Sequence, residues 1–267
     1  RSVENYKYFD VFAGNSSKIV NELKSRLSIK NKRRIELLPN GIKVGSTLKK
    51  YNRLVQAPLK LIFVGRIVNE AKNVFALPRI SKGLSDHKID HQITVLGDGI
   101  DLLKLKSLVT KFKVEHNFIF SGYCSNNDVK VKMLDSDILL FTSFYEGLPN
   151  VILEAMSIGL VVISSKLEGI TTDCISHGEN GFLVENNVVD FIEEIIRVKG
   201  HQNLQYISDN AVNTVRSNFS LERENQIINS MVLSDIVHSK KYLFRQELIN
   251  PWLYRFFNKL FNLKFNK

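Results

Sequence analysis

Cysteine, proline and tryptophan are scarce in this chain, and their scarcity narrows the classes of protein to consider. The 267 residues include two cysteines, five prolines and one tryptophan. Cys124 and Cys174 lack metal-ligand spacing and cannot form a disulfide framework, so we expect two ordinary buried thiols in a reducing compartment. No stretch approaches eighteen consecutive apolar residues, and no signal peptide precedes the first predicted strand. The sequence therefore favours a cytoplasmic protein.

Several well-known site motifs are likewise absent. There is no Walker A sequence, and Gly97-Asp98-Gly99 lacks the third glycine of the G-x-G-x-x-G fingerprint of dinucleotide sites. His87 and His91 stand four residues apart, but the glutamate of an H-E-x-x-H zinc site is missing. No Ser, His and Asp arrangement can be argued from spacing. We therefore predict neither a metal site nor a bound cofactor.

Positive charge is abundant but unevenly distributed. The formal net charge is +10, and residues 238–267 carry seven Lys or Arg against one acid. A basic chain can bind nucleic acid, yet the body has no recognition helix, zinc module or aromatic stacking motif. We therefore predict no nucleic-acid partner.

Strands alternate with helices through the body of the chain. Two short strands are predicted at 10–13 and 35–38, separated by Gly14-Asn15-Ser16-Ser17 and a helix at 18–27. Six further strands follow at 59–64, 92–96, 118–122, 137–141, 161–164 and near Val184. This alternation predicts an α/β fold with a doubly wound parallel sheet, in which the six later strands complete one Rossmann-like domain.

The stretch at 141–159 organises the rest of the chain. A strand at 137–141 is followed by a short turn and a helix that starts near Pro149, where proline suits the first turn. Glu146 precedes this helix and Glu154 lies inside it. Free amides at a helix start attract phosphate, and carboxylates accept hydrogen bonds from sugar hydroxyls. The pattern suits a nucleotide sugar, although a glutamate beside a helix start also complements the helix dipole without any ligand.

The string E-G-L-P-N-V-I-L-E, continued by A-M-S-I-G, resembles the E-x7-E signature of retaining glycosyltransferases with the GT-B fold. This large family is called glycosyltransferase family 4 or glycosyl transferases group 1. The resemblance implies transfer of a sugar from a nucleotide diphosphate donor to an acceptor hydroxyl with retention. It implies that Glu146 binds the donor sugar near the reacting carbon and that Glu154 binds the ribose. The remaining donor-binding residues it implies are Gly147, Leu148, Pro149 and Asn150.

Two cations follow the strand at 59–64. Gly65-Arg66 ends this strand, and Lys72 lies in what reads as a loop before a helix. V-G-R followed by K is similar to the diphosphate clamp of the same family, although Asn73 replaces a common glycine. On this resemblance Gly65 belongs to the donor site, while Arg66 and Lys72 hold the diphosphate and stabilise the leaving group. The resemblance thus implies three catalytic residues, Glu146, Arg66 and Lys72. The alternative for Arg66 and Lys72 is that both are ordinary solvated basic side chains. On the same resemblance we assign Gly97 of G-D-G to the donor site, and the alternative there is a plain tight turn.

The resemblance also implies a domain organisation. Residues 1–45 would be the end of an acceptor-side Rossmann-like domain, and residues 46–58 would link it to the next domain. Residues 59–200 would form the Rossmann-like domain that binds the donor. Residues 201–267 would form carboxyl-terminal helices. Residue 1 is Arg, so we expect an amino-terminally truncated chain. These enzymes need no bound metal, and Asp135-Ser136-Asp137 has the D-x-D spelling but enters a strand rather than leaving one.

More than one interpretation stays open for the carboxyl-terminal tail, residues 251–267, and for the activity. Residues 251–267 form an amphipathic basic pattern that either lies on an anionic membrane, at its inner face, or packs on the first domain. We expect a nucleotide sugar as donor and a carbohydrate or lipid-linked acceptor in cell-envelope polysaccharide or lipopolysaccharide synthesis. The alternatives are a truncated or degenerate nucleotide-sugar-binding module without turnover and, against the E-x7-E string, a nucleotide-sugar epimerase.

Overall fold

A computed structural model describes residues 11–26, 34–51 and 58–238, with side chains up to residue 231. The chain divides into two compact units, residues 1–226 and 227–267. Only the end of one helix is described in the second unit, so the amphipathic pattern predicted at 251–267 lies outside the described residues. Within the described part of the chain, no helix combines the length and apolar character needed to cross a membrane.

Eight strands and nine α-helices form the described part of the chain. The strands are β1 (Val11–Gly14), β2 (Arg34–Leu37), β3 (Leu59–Val64), β4 (His91–Leu96), β5 (Phe118–Gly122), β6 (Ile138–Phe141), β7 (Val161–Ser165) and β8 (Phe182–Val184). The helices are α1 (Ser17–Arg26), α2 (Asn69–Lys72), α3 (Ala76–Asp86), α4 (Leu102–Lys111), α5 (Asn126–Asp135), α6 (Asn150–Ser157), α7 (Val188–Lys199), α8 (Leu204–Asn218) and α9 (Leu221–His238).

The strands form two parallel sheets. β1 pairs with β2, and the other six form one sheet in the order β5-β4-β3-β6-β7-β8. This is the strand order of a Rossmann-like domain: the chain runs outward from β3 through β4 to β5, then crosses back to β6 and runs outward on the other side to β8. The predicted α/β fold with a doubly wound parallel sheet of six strands is confirmed.

Both faces of the six-stranded sheet are covered by helices. Alternate residues of a strand point to opposite faces, so Ile138 and Leu140 of β6 join one core cluster while Leu139 and Phe141 join the other. The first cluster includes apolar side chains of α3 and α7, and the second includes those of α6 and α8. The nearly uninterrupted apolar strands of this sequence are therefore explained by burial on two sides.

The divergence of the chain at β3 and β6 creates a crevice. These two strands are neighbours, with Leu61 beside Ile138 and Ile62 beside Leu139. The helix after β3 that enters the core, α3, packs on one face, whereas α6, which follows β6, packs on the other. The connections that leave the two strands therefore separate at the carboxyl edge, which is where open α/β sheets bind ligands.

The segment before the six-stranded sheet is bonded firmly to it. Tyr51 donates its hydroxyl proton to Asp137 O at 2.7 Å and accepts from Val161 N at 2.9 Å. Lys49 forms an ion pair with the Asp137 carboxylate at 3.3 Å. The other oxygen of that carboxylate accepts from Lys60 N at 2.9 Å. One buried tyrosine hydroxyl thus joins the incoming segment to the adjacent strands β6 and β7.

Three local expectations differ from the structure. Lys72 ends a short helix rather than lying in a loop, because the Asp101 carboxylate accepts from Asn69 N at 2.7 Å and caps the start of α2. Pro149 precedes α6 instead of occupying its first turn, since its backbone is extended. Cys174 is buried as expected, but Cys124 is only partly buried.

Replacing Tyr51 with phenylalanine should destabilise the fold. The substitution removes the hydroxyl and leaves Val161 N–H without its acceptor, so we expect the free energy of unfolding to fall by about 1–3 kcal/mol. Urea unfolding measures this change. Tyr206→Phe is the matched control, because Tyr206 is exposed and its hydroxyl bonds to no described residue. Equal stability of the two variants would contradict the assigned role.

Candidate functional site

An ion pair lies in the crevice between the loops that follow β3 and β6. Lys72, at the end of α2, pairs with Glu146, which precedes α6. Their side chains are only 16% and 17% exposed, and Ser143 donates its hydroxyl proton to the same Glu146 oxygen at 3.1 Å. The Lys72 ammonium also lies 5.9 Å from the ring centre of Phe141. The structure therefore brings together two of the three predicted catalytic residues.

The backbone around this ion pair is fixed by bonds between the two loops. Thr142 donates its hydroxyl proton to Lys72 O at 2.7 Å, and Phe144 N donates to Ala71 O at 2.8 Å. Asn186 donates from Nδ2 to the carbonyls of Thr142 and Ser143 at 3.1 and 2.9 Å. These hydrogen bonds fix the positions of the two backbone segments from which the Lys72 and Glu146 side chains extend.

Sequence reasoning missed the residues that support the pair. Thr142 and Ser143 were recognisable as polar residues at the end of a buried strand, a position that faces the ligand edge of a parallel sheet. Asn186 had no such signal. It lies more than forty residues further along the chain, and only the pairing of β6, β7 and β8 brings it to the crevice.

Unsatisfied backbone amides lie at the start of α6. Within the described residues, the amides of Gly147, Leu148, Asn150 and Val151 donate to no protein acceptor, whereas those of Ile152 and Leu153 donate to Pro149 O. Free amides at a helix start carry partial positive charge and bind anions. Arg66 follows β3 at the same edge, is exposed, and has no acidic partner among the described residues. The arrangement favours an anionic ligand.

Glu154 lies apart from the ion pair, one helical turn beyond Asn150. It lines a cavity of about 290 Å³ together with Gly41, Ile42, Lys43, Asn126, Val129, Lys130, Met133, Ser157, Ile158 and Leu221. Partial burial raises the pKa of the Glu154 carboxyl above its ordinary value, although the residue keeps an exposed surface. The two glutamates of the E-x7-E string therefore face different surroundings, one paired with a cation and one in a largely apolar cavity.

Glycine is required where the loops after β3 and β4 meet. A Cβ on Gly97 would lie 1.9 Å from Gly65 O, and one on Gly99 would lie 2.3 Å from Ile67 O. Gly97 also has φ +133°, which favours glycine. Close packing explains G-D-G without a ligand, so the assignment of Gly97 to the donor site stays a prediction.

The amino-terminal segment reaches the loop that precedes α6. Asn40 donates from Nδ2 to Asn150 Oδ1 at 2.7 Å. The side-chain amide of Asn15 lies against Gly147, with Nδ2 3.5 Å from the position a Cβ would take there. Residues from the segment before the six-stranded sheet therefore border the predicted donor site.

The acidic residues of D-S-D serve the protein's own structure. Asp135 pairs with Lys60 at 2.9 Å, and Asp137 is engaged by Lys49 and the Lys60 amide. In the part of the chain that the structure describes, no group of three or more His, Cys, Asp or Glu side chains is arranged to hold a metal ion. That the chain uses no metal stays a prediction.

The comparisons with known proteins point to one family. The family model for Glycosyl transferases group 1 matches residues 46–212. The chain is 26% identical over 219 residues to an Escherichia coli UDP-Gal:alpha-D-GlcNAc-diphosphoundecaprenol alpha-1,3-galactosyltransferase, covering 77% of this chain and 55% of that protein. It is 31% identical over 144 residues to the lipopolysaccharide 1,6-galactosyltransferase of Salmonella typhimurium, covering 53% and 40%. The chain thus spans about half the length of the curated relatives it matches.

Solved structures share the fold. The apo lipopolysaccharide outer core galactosyltransferase WaaB has a TM-score of 0.73 and 27% identity, covering 86% of this chain and 63% of that one. A TarM mutant from S. aureus, in complex with fondaparinux, alpha-GlcNAc-glycerol and UDP, has a TM-score of 0.73 and 19% identity, covering 84% and 44%. The predicted GT-B type of architecture is confirmed.

Gly97→Ala should be more destabilising than an alanine at another glycine of positive φ. We expect it to lower the free energy of unfolding by roughly 1–3 kcal/mol beyond the control, because the new methyl group overlaps Gly65 O. Gly178→Ala is that control, since Gly178 has φ +79° and no atom lies within 4 Å of its added Cβ. Chemical denaturation of both variants provides the comparison, and equal losses would show that backbone strain alone requires glycine.

Glu154→Gln should stabilise the folded protein at neutral pH. A carboxyl whose pKa is raised on folding destabilises the native state once it ionises, and this cost disappears below its unfolded pKa of about 4. We expect the glutamine variant to melt roughly 1 °C higher at pH 7, a small shift because the side chain keeps contact with solvent. The gain should vanish as the pH falls below about 4.

Thermal melts across pH test this expectation. Glu193→Gln is the control, because Glu193 is exposed on α7 and bonds to no described side chain. A Glu154 variant that melts with the wild type at pH 7, or whose advantage grows in acid, would contradict the assigned cost of burial.

Proposed function

The chain belongs to the glycosyl transferases group 1 family, and on this premise we propose that it transfers a hexose from a UDP-sugar to an acceptor hydroxyl with retention of anomeric configuration. One observation carries the proposal above the others. The loops that follow β3 and β6 carry the partly buried Lys72–Glu146 pair together with Arg66 and the amides at the start of α6, which have no protein acceptor among the described residues. These groups supply both the cations that a diphosphate needs and the carboxylate that sugar hydroxyls need.

The diphosphate would bind between the two loops of the crevice. Arg66 brings a guanidinium without an acidic partner in the described structure, and the free amides of Gly147, Leu148, Asn150 and Val151 lie at the same edge of the sheet. Lys72 is the second cation that we assign to the diphosphate. Negative charge grows on the diphosphate as the glycosyl bond breaks, so cations already in position stabilise the transition state more than the ground state.

Glu146 would bind the donor sugar. Its carboxylate already accepts from Lys72 and from the Ser143 hydroxyl, and these contacts fix its orientation. Its remaining lone pairs can accept hydrogen bonds from sugar hydroxyls. In a single displacement with retention, the acceptor approaches the face of the sugar from which the diphosphate departs. Because this route forms no covalent bond between sugar and enzyme, Glu146, held by Lys72, serves binding rather than covalent attack.

Glu154 would bind the nucleoside. A cavity of about 290 Å³ with a carboxylate on its wall suits a ribose, whose vicinal hydroxyls both donate to one carboxylate. The apolar walls formed by Ile42, Val129 and Met133 would cover the faces of the base. Protonation of Glu154 removes its negative charge and turns one acceptor site into a donor, so we expect nucleotide affinity to weaken as the pH falls through its raised pKa.

The relatives suggest the sugar and the pathway. The Escherichia coli relative is named for UDP-Gal and for a diphosphoundecaprenol-linked acceptor, and the Salmonella relative for lipopolysaccharide. We therefore propose UDP-galactose as donor and a carbohydrate or lipid-linked acceptor of the cell envelope. Peripheral contact with the inner face of the membrane through residues 251–267 belongs to the same proposal.

A second candidate is nucleotide-sugar binding without turnover. The chain spans about half the length of its curated relatives, and in the GT-B architecture the acceptor binds mainly to the first domain. The donor half would then bind its ligand while transfer fails. Donor binding and sugar transfer must therefore be measured separately.

Calorimetric titration with UDP, GDP and ADP tests the donor site. We expect the chain to bind UDP in preference to the others, and Arg66→Ala to weaken binding by roughly 10- to 100-fold, the value of a charge-assisted hydrogen bond. Arg79→Ala is the matched control, because Arg79 is exposed on α3 and has no partner in the described structure. No binding by the folded wild type, or equal losses in the two variants, would contradict the proposal.

Transfer is then measured with UDP-galactose and a GlcNAc-diphosphoundecaprenol acceptor. Proton NMR of the product gives the anomeric configuration, and an inverted product would contradict retention. Binding of UDP without any transfer would favour the binding module.

A further inference from the structure

Asn15 brings an unused side-chain amide to the edge of the donor site. It lies between β1 and α1 and is partly buried. Its Nδ2 and Oδ1 atoms stand 3.5 and 3.7 Å from the position that a Cβ on Gly147 would occupy, so the amide covers the open side of this glycine. In the described part of the chain this amide has no hydrogen-bond partner. Its donor and its acceptor are therefore both available to a ligand.

The position of Asn15 is fixed by its neighbours in sequence. Ser17 N and Oγ both donate to the Asp173 carboxylate, at 2.6 and 2.8 Å. Lys18 N donates to Gly169 O at 3.0 Å, and a Cβ on Gly169 would lie 2.9 Å from that nitrogen. The loop after β7 therefore holds the start of α1 in place, and with it the backbone next to Asn15, whose amide lies beside Gly147.

The chemistry of this amide differs from that of the other groups in the crevice. Arg66, Lys72 and the backbone amides only donate hydrogen bonds, and the Glu146 carboxylate only accepts them. A carboxamide does both, as a sugar hydroxyl does, whereas a phosphate oxygen only accepts. Resting on the proposed function, we infer that Asn15 binds a hydroxyl group of the donor's sugar and contributes to the choice of that sugar.

Asn40 provides a contrast on the same segment. Its Nδ2 donates to Asn150 Oδ1 at 2.7 Å, so its amide already has a protein partner. Asn40 therefore supports the loop that binds the diphosphate, while Asn15 is free to contact the ligand. Loss of loop support weakens every nucleotide alike, whereas loss of a sugar contact weakens only the nucleotide sugars.

Titration of the 267-residue chain with UDP, UDP-galactose and UDP-glucose separates these roles. Asn15→Ala should weaken the tighter-binding UDP-sugar by about 3- to 10-fold, the value of one or two neutral hydrogen bonds, and leave UDP unchanged. Asn40→Ala should weaken all three ligands by a similar factor. Asn127→Ala, an exposed asparagine of α5 without a partner in the described structure, should change none of them.

Two results would overturn the inference. Equal weakening of UDP and the UDP-sugars by Asn15→Ala would make Asn15 a support for the loop, and unchanged affinity for both UDP-sugars would remove it from the site. Because Asn15 bonds to no described residue, the variant should melt with the wild type, which separates ligand effects from misfolding. A wild type that binds none of the three ligands would overturn the proposed function as well, so the two failures are distinguishable.

Discussion

The pairing of β3 with β6 is the constraint on which the rest of this structure depends. The chain between them forms β4 and β5 on one side of β3, and the chain after β6 continues to the other side. Helices that follow the two strands therefore pack on opposite faces, and a crevice opens at the carboxyl edge. Arg66 lies in the loop that follows β3, and Glu146 lies in the loop that follows β6.

Charge balance within this crevice supports the proposal of an anionic ligand. Lys72 and Glu146 neutralise each other, and an ion pair this shielded from water stays favourable only while both partners remain well bonded. Ser143 and Phe141 complete that environment. Arg66 and the amides at the start of α6 have no protein acceptor in the described part of the chain, and a diphosphate is the ligand we propose for them.

The strands and the two glutamates were predictable from local sequence, whereas the residues that hold the site in place were not. Apolar runs bounded by turn residues predicted the six strands, and E-G-L-P-N-V-I-L-E placed Glu146 before a helix and Glu154 within it. The short helix that carries Lys72 was missed, because its cap is the Asp101 carboxylate, 32 residues from Asn69. Asn186 was missed for the same reason: its hydrogen bonds to the Glu146 loop span more than forty residues.

The sequence by itself determined the alternation of strands and helices and the family, because the periods of 2 and 3.6 residues and the E-x7-E string are local properties. Only the tertiary structure decided that Lys72 meets Glu146, 74 residues away, and that Asn15 faces Gly147. Periodicity fixes which face of a strand is buried, but it does not fix which strands are neighbours. That choice depends on how all the helices and strands pack together, and it sets the distances on which binding depends.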